Sequence, residues 1–302
     1  MWLIYALLTT FSWAFADLFY KKGAVADDNA SHIKTVILVG LVMGVHGFVY
    51  MLINGIAFSP IYLLTYFPVS FMYILSMAIG YLGLRYIQLS ISSPVQNSSG
   101  AVTSIMIFIF FDHTLDILEI SAIIIITLGI IALAAMEEFK NRSQIPNEKH
   151  REYKNGFIAI SFPILYCVID GLGTFADAIY LDELSLISED QALLAYEFTF
   201  LICAVIAFIY LKRGKVQFNL FKEKIKCAAA LFETIGQFFY VYAMARNAIV
   251  VAPLIASYSV FSVMLSRAFL KEKLTKKQYL IVAAVMTGIA MLALSEVLKS
   301  AL

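Results

Sequence analysis

Ten runs of about 20 mainly apolar residues fill this 302-residue chain, at 2–20, 33–54, 61–84, 91–111, 117–136, 155–179, 191–211, 225–246, 249–270 and 278–298. Each is long enough to cross a bilayer as a helix. In hydrocarbon every backbone N–H and C=O must find its partner inside the segment, so a lipid-facing run of this kind has only the helix open to it. Composition agrees: 61% of the residues are hydrophobic and 14% charged, with a mean hydropathy of +0.84. A soluble surface could not be assembled from such a chain. The expected fold is an all-α integral membrane protein of ten transmembrane helices. Only 137–154 reads as a long polar run, so it is taken as a cytoplasmic linker between a first unit, 1–136, and a second, 155–302.

The two units repeat one another. At a fixed offset of 159, Pro94 falls on Pro253, Phe111 on Leu270, Leu115 on Leu274, and Gly129 and Ile130 on Gly288 and Ile289. A nearby offset of 153 places Trp13 on Tyr166 and Asp17 on Asp170. So many matches at a fixed spacing point to an internal duplication. With five spans per copy, the second copy must cross the membrane in the opposite sense to the first, which makes the two five-helix repeats inverted. Inverted repeats recur in secondary transporters, where two like halves exchange conformations around a central site.

Lys and Arg crowd the loops after the first, third, fifth, seventh and ninth spans, including Lys21, Lys22, Arg85, Arg142, Lys212, Arg213, Lys276 and Lys277. The opposite loops hold Arg246 and Lys299, and the loop after the sixth span is acidic with Asp182, Glu183, Glu189 and Asp190. Positive charge stays inside, so both termini are expected outside. The first run has no basic residues ahead of it and no small-residue cleavage site, so it reads as a retained span. The strong bias suits a plasma or bacterial inner membrane.

These motifs resemble the ten-helix EamA type of the drug/metabolite transporter superfamily over essentially the whole chain. Its carriers are an aromatic residue followed by Asp in the first helix of each half (Trp13 and Asp17, Tyr166 and Asp170). To these is added the run from Tyr242-Ala243-Met244-Ala245 through Ala252-Pro253 to Phe269-Leu270-Lys271-Glu272-Lys273-Leu274. The last part is similar to the family's proline helix and its short L-x-E-x-L turn. The first half keeps Pro94 but has Phe111-Asp112-His113-Thr114-Leu115, with its acid one position early. The resemblance implies ten helices and alternating access. It says little about cargo, since members move amino acids, amines, sugars, purines or drugs.

Cargo has to be argued from residues. An ionisable group at mid-membrane costs on the order of 2.5–3.5 kcal/mol on insertion scales, so each one asks for a reason. The candidates are Asp17, Asp170, Asp177, Glu197, Glu233 and Arg267, with His46 as a weaker seventh. Glu233, Gln237 and Tyr240, at i, i+4 and i+7, share one helix face. Their equivalents at the 159 offset, Ile74, Ala78 and Tyr81, lack the acid and the amide. Trp13 with Asp17, and Tyr166 with Asp170, put a ring and a carboxylate on one face in each half. Ring faces beside a carboxylate are the physical recipe for holding an organic cation, and Tyr81, Tyr196 and Tyr258 add rings. Tyr and Trp also serve as interfacial anchors in any membrane protein, and a snorkelling carboxylate or a pair with Arg267 would account for acids such as Glu197. Pro94 and Pro253 interrupt their helices and free carbonyls near Asn97 and Ser257.

The expected substrate-binding set is therefore Glu233, Gln237, Tyr240, Trp13, Tyr166, Glu197, Tyr81, Tyr258 and Asn97, with Asp17, Asp170, Pro94 and Pro253 in coupling or gating. The cargo reading is a small amine or quaternary ammonium ion, the alternative a neutral or aromatic amino acid. No nucleotide-binding loop occurs, so ATP does not drive this chain directly; proton exchange at a buried carboxylate, uniport and sodium coupling stay open. An enzyme is not expected. Intramembrane aspartyl proteases carry Gly-x-Gly-Asp and Pro-Ala-Leu, whereas Asp170 here precedes Gly171-Leu172-Gly173. His32, His46, His113 and His150 are scattered, and Cys167, Cys203 and Cys227 form no CxxC, so neither metal nor cofactor is expected. A receptor would need an output domain. The expected partners are the small-molecule substrate, the lipid bilayer and protons as a coupling ion, with no nucleic acid.

Overall fold

The computed structural model describes residues 2–25, 28–112, 115–143, 156–271 and 275–301, and among these it is helical with no strand. The helices are α1 (Trp2–Gly23), α2 (Ser31–Ile53), α3 (Ile61–Thr65), α4 (Phe67–Gly83), α5 (Leu89–Asn97), α6 (Ser99–Phe110), α7 (Ile117–Ser143), α8 (Gly156–Ala178), α9 (Glu189–Arg213), α10 (Lys224–Ala256), α11 (Tyr258–Phe269) and α12 (Lys276–Ala301). All ten expected spans are present as helix. Five stretches are long and apolar enough to cross a membrane unaided: Trp2–Gly23, Ser31–Ile53, Ser161–Glu183, Glu189–Arg213 and Lys224–Phe269.

Boundaries differ from expectation in four places. The third span is divided at Tyr66, after which Pro68 opens α4 where a missing N–H costs nothing. The fourth is divided at Ser98. The eighth and ninth run together as α10, because the turn between them is a single extended residue, Asn247 at φ −169 and ψ 71. Asp182 Oδ2 accepts the Ala248 N–H at 2.7 Å, which caps the helix where it restarts. Finally, α7 passes 136 and continues to Ser143, since Glu137, Glu138 and Lys140 are good helix formers that extend a span into water. The remainder of the expected linker lies outside the described residues.

The two proline segments share their local geometry. Pro94 and Pro253 each lie inside a helix that stops four residues later, at Ser98 (φ −61, ψ −12) and Ser257 (φ −64, ψ −7). Ser98 N bonds the Pro94 and Val95 carbonyls, and Ser257 N bonds the Pro253 and Leu254 carbonyls. The next helices, Ser99–Phe110 and Tyr258–Phe269, have equal length and again differ by 159. Proline lacks the N–H that would bond the residue four back. Behind Pro253 that freed carbonyl is Ile249 O, and Ser104 Oγ of α6 donates to it at 3.0 Å.

Packing crosses between the halves. α1 lies on α10 and α4 on α8, while α2 packs on α9 and α7 on α12. Exchanging first-half spans for their second-half equivalents leaves this set of pairs unchanged. At the α7–α12 crossing the exchange holds residue by residue: Gly129 faces Val285 and Gly288 faces Ile126, and each pair maps onto the other at the 159 offset. Reciprocal contact of this kind is what two like elements around a two-fold axis produce.

Polarity is reversed relative to a soluble protein. Large apolar side chains such as Leu52, Ile53, Leu64, Ile109 and Leu280 are exposed, whereas Thr9, Ser70, Ser76, Ser92, Thr103, Ser259 and Ser262 are fully buried. The outer surface suits hydrocarbon, and the interior carries the hydrogen bonds.

Candidate functional site

A cavity of about 820 Å³, including its open mouth, lies between α1, α4, α5, α6, α8, α9, α10 and α11. Antiparallel contact of α1 with α10 forms one wall. Thr9 Oγ1 donates to Gly236 O at 3.2 Å and Trp13 Nε1 to Glu233 O at 3.3 Å, with Gly236 leaving room for the indole. The opposite wall repeats the device, since Gly80 of α4 lies under the ring of Tyr166 of α8.

Three carboxylates line the space. Asp17 Oδ2 accepts from Ser93 Oγ of α5 at 2.6 Å and from Ser262 Oγ of α11 at 2.8 Å. Asp170 accepts from Ser99 Oγ at 2.8 Å and from Ser76 Oγ at 3.4 Å. Glu233 Oε2 accepts from Tyr20 Oη at 3.3 Å, and Tyr20 in turn accepts from Tyr81 at 3.0 Å. Hydroxyls orient these acids without neutralising them. Among the described residues, no Lys, Arg or His lines the cavity.

Aromatic rings make up much of the rest. Trp13 lies 5.0 Å from Tyr240 and 5.7 Å edge-on from Tyr258, while Tyr73 meets both Tyr240 and Tyr196 edge-to-face at 6.1 Å. Tyr20 and Tyr81 are 4.5 Å apart. The ring quadrupole puts negative charge on each face, the sign a cation needs.

Of the expected binding residues, Glu233, Gln237, Tyr240, Trp13, Tyr166, Tyr81, Tyr258 and Asn97 all line this one cavity, as do Asp17 and Asp170. Glu197 does not. It is fully buried between α2 and α9, with both carboxylate oxygens on His46 Nδ1 at 2.7 and 3.0 Å. Pro94 and Pro253 are set back from the lining, shaping the broken helices rather than touching the space. Arg267 is exposed and pairs with none of the cavity acids among the described residues.

Sequence reasoning placed Ser99 in a polar cluster after Pro94 that lines the cavity, and passed over Tyr20, Ser93 and Ser262. Tyr20 had a signal: Trp13, Asp17 and Tyr20 fall at i, i+4 and i+7, the spacing of Glu233, Gln237 and Tyr240. The serines had none, being common and brought to the acids only by tertiary packing. Two further polar knots stand apart from the cavity acids. Asp177, fully buried, accepts from Tyr66 and, at 3.4 Å, from Tyr73, whose hydroxyl is 2.5 Å from that of Tyr240. Near the acidic loops, Asp190 accepts from Tyr50 at 2.8 Å and Tyr242 at 2.6 Å.

Apolar outside and polar around a central cavity, the bundle has the build of a multi-pass membrane transporter. Residues 157–294 match the EamA-like transporter family, which points to a membrane transporter of the drug/metabolite type. The resemblance read from the proline and aromatic-acid motifs is thereby shown, and small-molecule cargo and membrane lipid follow as partners. Among 27 solved chains that match, one described only as the crystal structure of a protein has a TM-score of 0.68 at 14% identity, covering 97% of this chain and 96% of that one. That likeness shows the fold. No curated protein sequence matches the chain.

Proposed function

We propose that this transporter carries small organic cations, amines or quaternary ammonium ions, by alternating access at the cavity between two inverted repeats. One observation carries the reading: three carboxylates and a ring of aromatic faces line the cavity with no basic side chain among them. A zwitterionic amino acid would need a partner for its own carboxylate; Arg267, the cation considered for that task, is outside the site, which leaves only neutral amides such as Gln237 and Asn97 to meet it. Trp13, Tyr166, Tyr240 and Tyr258 then supply ring faces, and Glu233, Asp17 and Asp170 supply charge. Gln237, Asn97 and Tyr81 orient the cargo. Exchange of a proton for the cation at these carboxylates couples transport to a proton gradient.

The reciprocal α7–α12 contact and the cross-half pairing of α1 with α10 and α4 with α8 support units 1–136 and 155–302 as inverted repeats. One end of the bundle gathers Lys21, whose Nζ caps the Leu84 and Ile87 carbonyls at 2.8 and 2.7 Å, together with Lys34, Arg85 and Lys226. That end faces the cytoplasm, and both termini lie outside. The experiment is a thermal-shift screen of the purified protein against monoamines, quaternary ammonium ions and neutral amino acids, because a ligand that binds only the folded state raises its apparent stability. Stabilisation by cations alone supports the reading, and stabilisation by amino acids alone overturns it.

A further inference from the structure

We propose that the cargo is an elongated dication, a linear α,ω-diamine or polyamine, gripped at two carboxylate-and-ring half-sites, one supplied by each repeat; the proposal rests on the cation reading above. The half-sites are Trp13 with Asp17 on α1 and Tyr166 with Asp170 on α8, and all four side chains line the same cavity. They are built alike. Each ring lies against a glycine of the facing helix, Gly236 or Gly80, and each carboxylate is held by two serine hydroxyls.

The two carboxylates are not arranged to share one nitrogen. Asp17 is anchored by Ser93 and Asp170 by Ser99, six residues further along the same broken span. Ser93 belongs to α5 and Ser99 to α6, on opposite sides of the break at Ser98, so the two acids are held by different helices. A single ammonium bonding two carboxylates at ordinary charge-assisted distances requires their oxygens within about 6 Å of each other. Two charged nitrogens on one chain meet both acids.

The shape of the cavity agrees. Its lining on α4 extends from Tyr73 to Tyr81, which is about 12 Å of helix, with Leu84 just past the helix end. Elsewhere Trp13, Tyr166, Tyr196, Tyr240 and Tyr258 contribute rings to the lining, surfaces that suit a methylene chain. Gln237 supplies an observation independent of the acids: it is 3% exposed, faces the cavity, and its amide has no hydrogen-bond partner among the described residues. Its carbonyl oxygen is placed to accept from an ammonium or from the secondary amine of a polyamine.

The test measures binding to the full-length detergent-purified protein by titration calorimetry, comparing 1,5-diaminopentane with pentylamine and then diamines from three to eight carbons. We expect the diamine to bind on the order of a hundredfold more tightly than the monoamine, the scale that joining two contacts on one ligand supplies. Affinity should pass through an optimum with chain length. In Asp17→Asn and Asp170→Asn, each keeping its side-chain shape, the ratio of diamine to monoamine affinity should fall to within about threefold of one, as expected when one of two joined contacts is lost. A diamine that binds no better than the monoamine overturns the proposal and leaves the cation reading intact. A flat length series in the unmutated protein also overturns it, whether or not the variants fold. If no amine binds and neutral amino acids do, the cation reading itself fails.

Discussion

Replacing Gly236 with alanine would set a methyl carbon 2.3 Å from Trp13 Cδ1 and 2.4 Å from its Nε1. Carbon atoms rest at about 3.5–4.0 Å, so the indole would have to retreat by more than about 1 Å. It has little room to do so. Nε1 donates to Glu233 O at 3.3 Å, and the ring is flanked by Tyr240 at 5.0 Å and Tyr258 at 5.7 Å. Overpacking costs about 1–3 kcal/mol and one lost hydrogen bond about 0.5–1.5 kcal/mol, which together make about 1.5–4.5 kcal/mol for Gly236→Ala. Gly80→Ala is milder, because its added carbon would meet Tyr166 Cδ2 at 2.8 Å and Cε2 at 3.1 Å, and a cost near the lower end, about 1 kcal/mol, is expected. Equilibrium unfolding in mixed micelles, followed by circular dichroism, ranks the two. Trp13→Leu combined with Gly236→Ala should cost less than the sum of the single changes by about 1 kcal/mol, since removing the ring removes the clash. A Gly236→Ala protein as stable as the unmutated one, or less disturbed than Gly80→Ala, would refute the packing argument.

Asp182→Ala should destabilise by about 1 kcal/mol through loss of the cap on Ala248, and speed amide exchange just after Asn247; unchanged exchange there would count against it. Ser104→Ala leaves Ile249 O without its donor behind Pro253, and a cost of about 1–3 kcal/mol for the buried carbonyl is expected in the same unfolding assay. Asp28, in the loop between α1 and α2, has its carboxyl held below the usual carboxylate value; partial burial works to raise it, but hydrogen bonds from Lys34 Nζ at 2.6 Å and the Ala30 N–H at 2.9 Å outweigh that. A depressed folded-state value gives stability that is present above the ordinary carboxylate range and lost as pH falls through the lowered value. Lys34→Met should move the Asp28 titration, read by NMR, back towards that range, and an unmoved titration would contradict the pairing.

The spans were legible in the sequence because lipid demands about 20 apolar residues and a helix from each crossing. The 159-residue spacing read from the sequence has a local counterpart in the structure: the offset between Pro94 and Pro253 reappears in the helices Ser99–Phe110 and Tyr258–Phe269. Boundaries depended on details that pattern does not encode. Whether Asn247 breaks α10 or merely kinks it turns on a single residue and on Asp182, 66 positions away. The stripe Glu233, Gln237 and Tyr240 could be read from helical spacing and does line the cavity. Glu197 could not be sorted that way. Its partner His46 comes from 151 residues away, and that contact explains its burial between α2 and α9 away from the cavity. Arg267, the cation the sequence offered as a partner for the acids, sits on an outward face of α11, and only tertiary packing decides which face of a helix looks inward.

Cation transport is the central claim, and counterflow in proteoliposomes tests it most directly. Vesicles holding the purified protein and loaded with unlabelled amine should accumulate labelled amine from outside, and Glu233→Gln should lower that uptake by the 2–5 kcal/mol, roughly 30-fold or more, that loss of one partner in a buried charge pair costs. Accumulation no greater than in protein-free vesicles, together with counterflow of a neutral amino acid, would contradict the account.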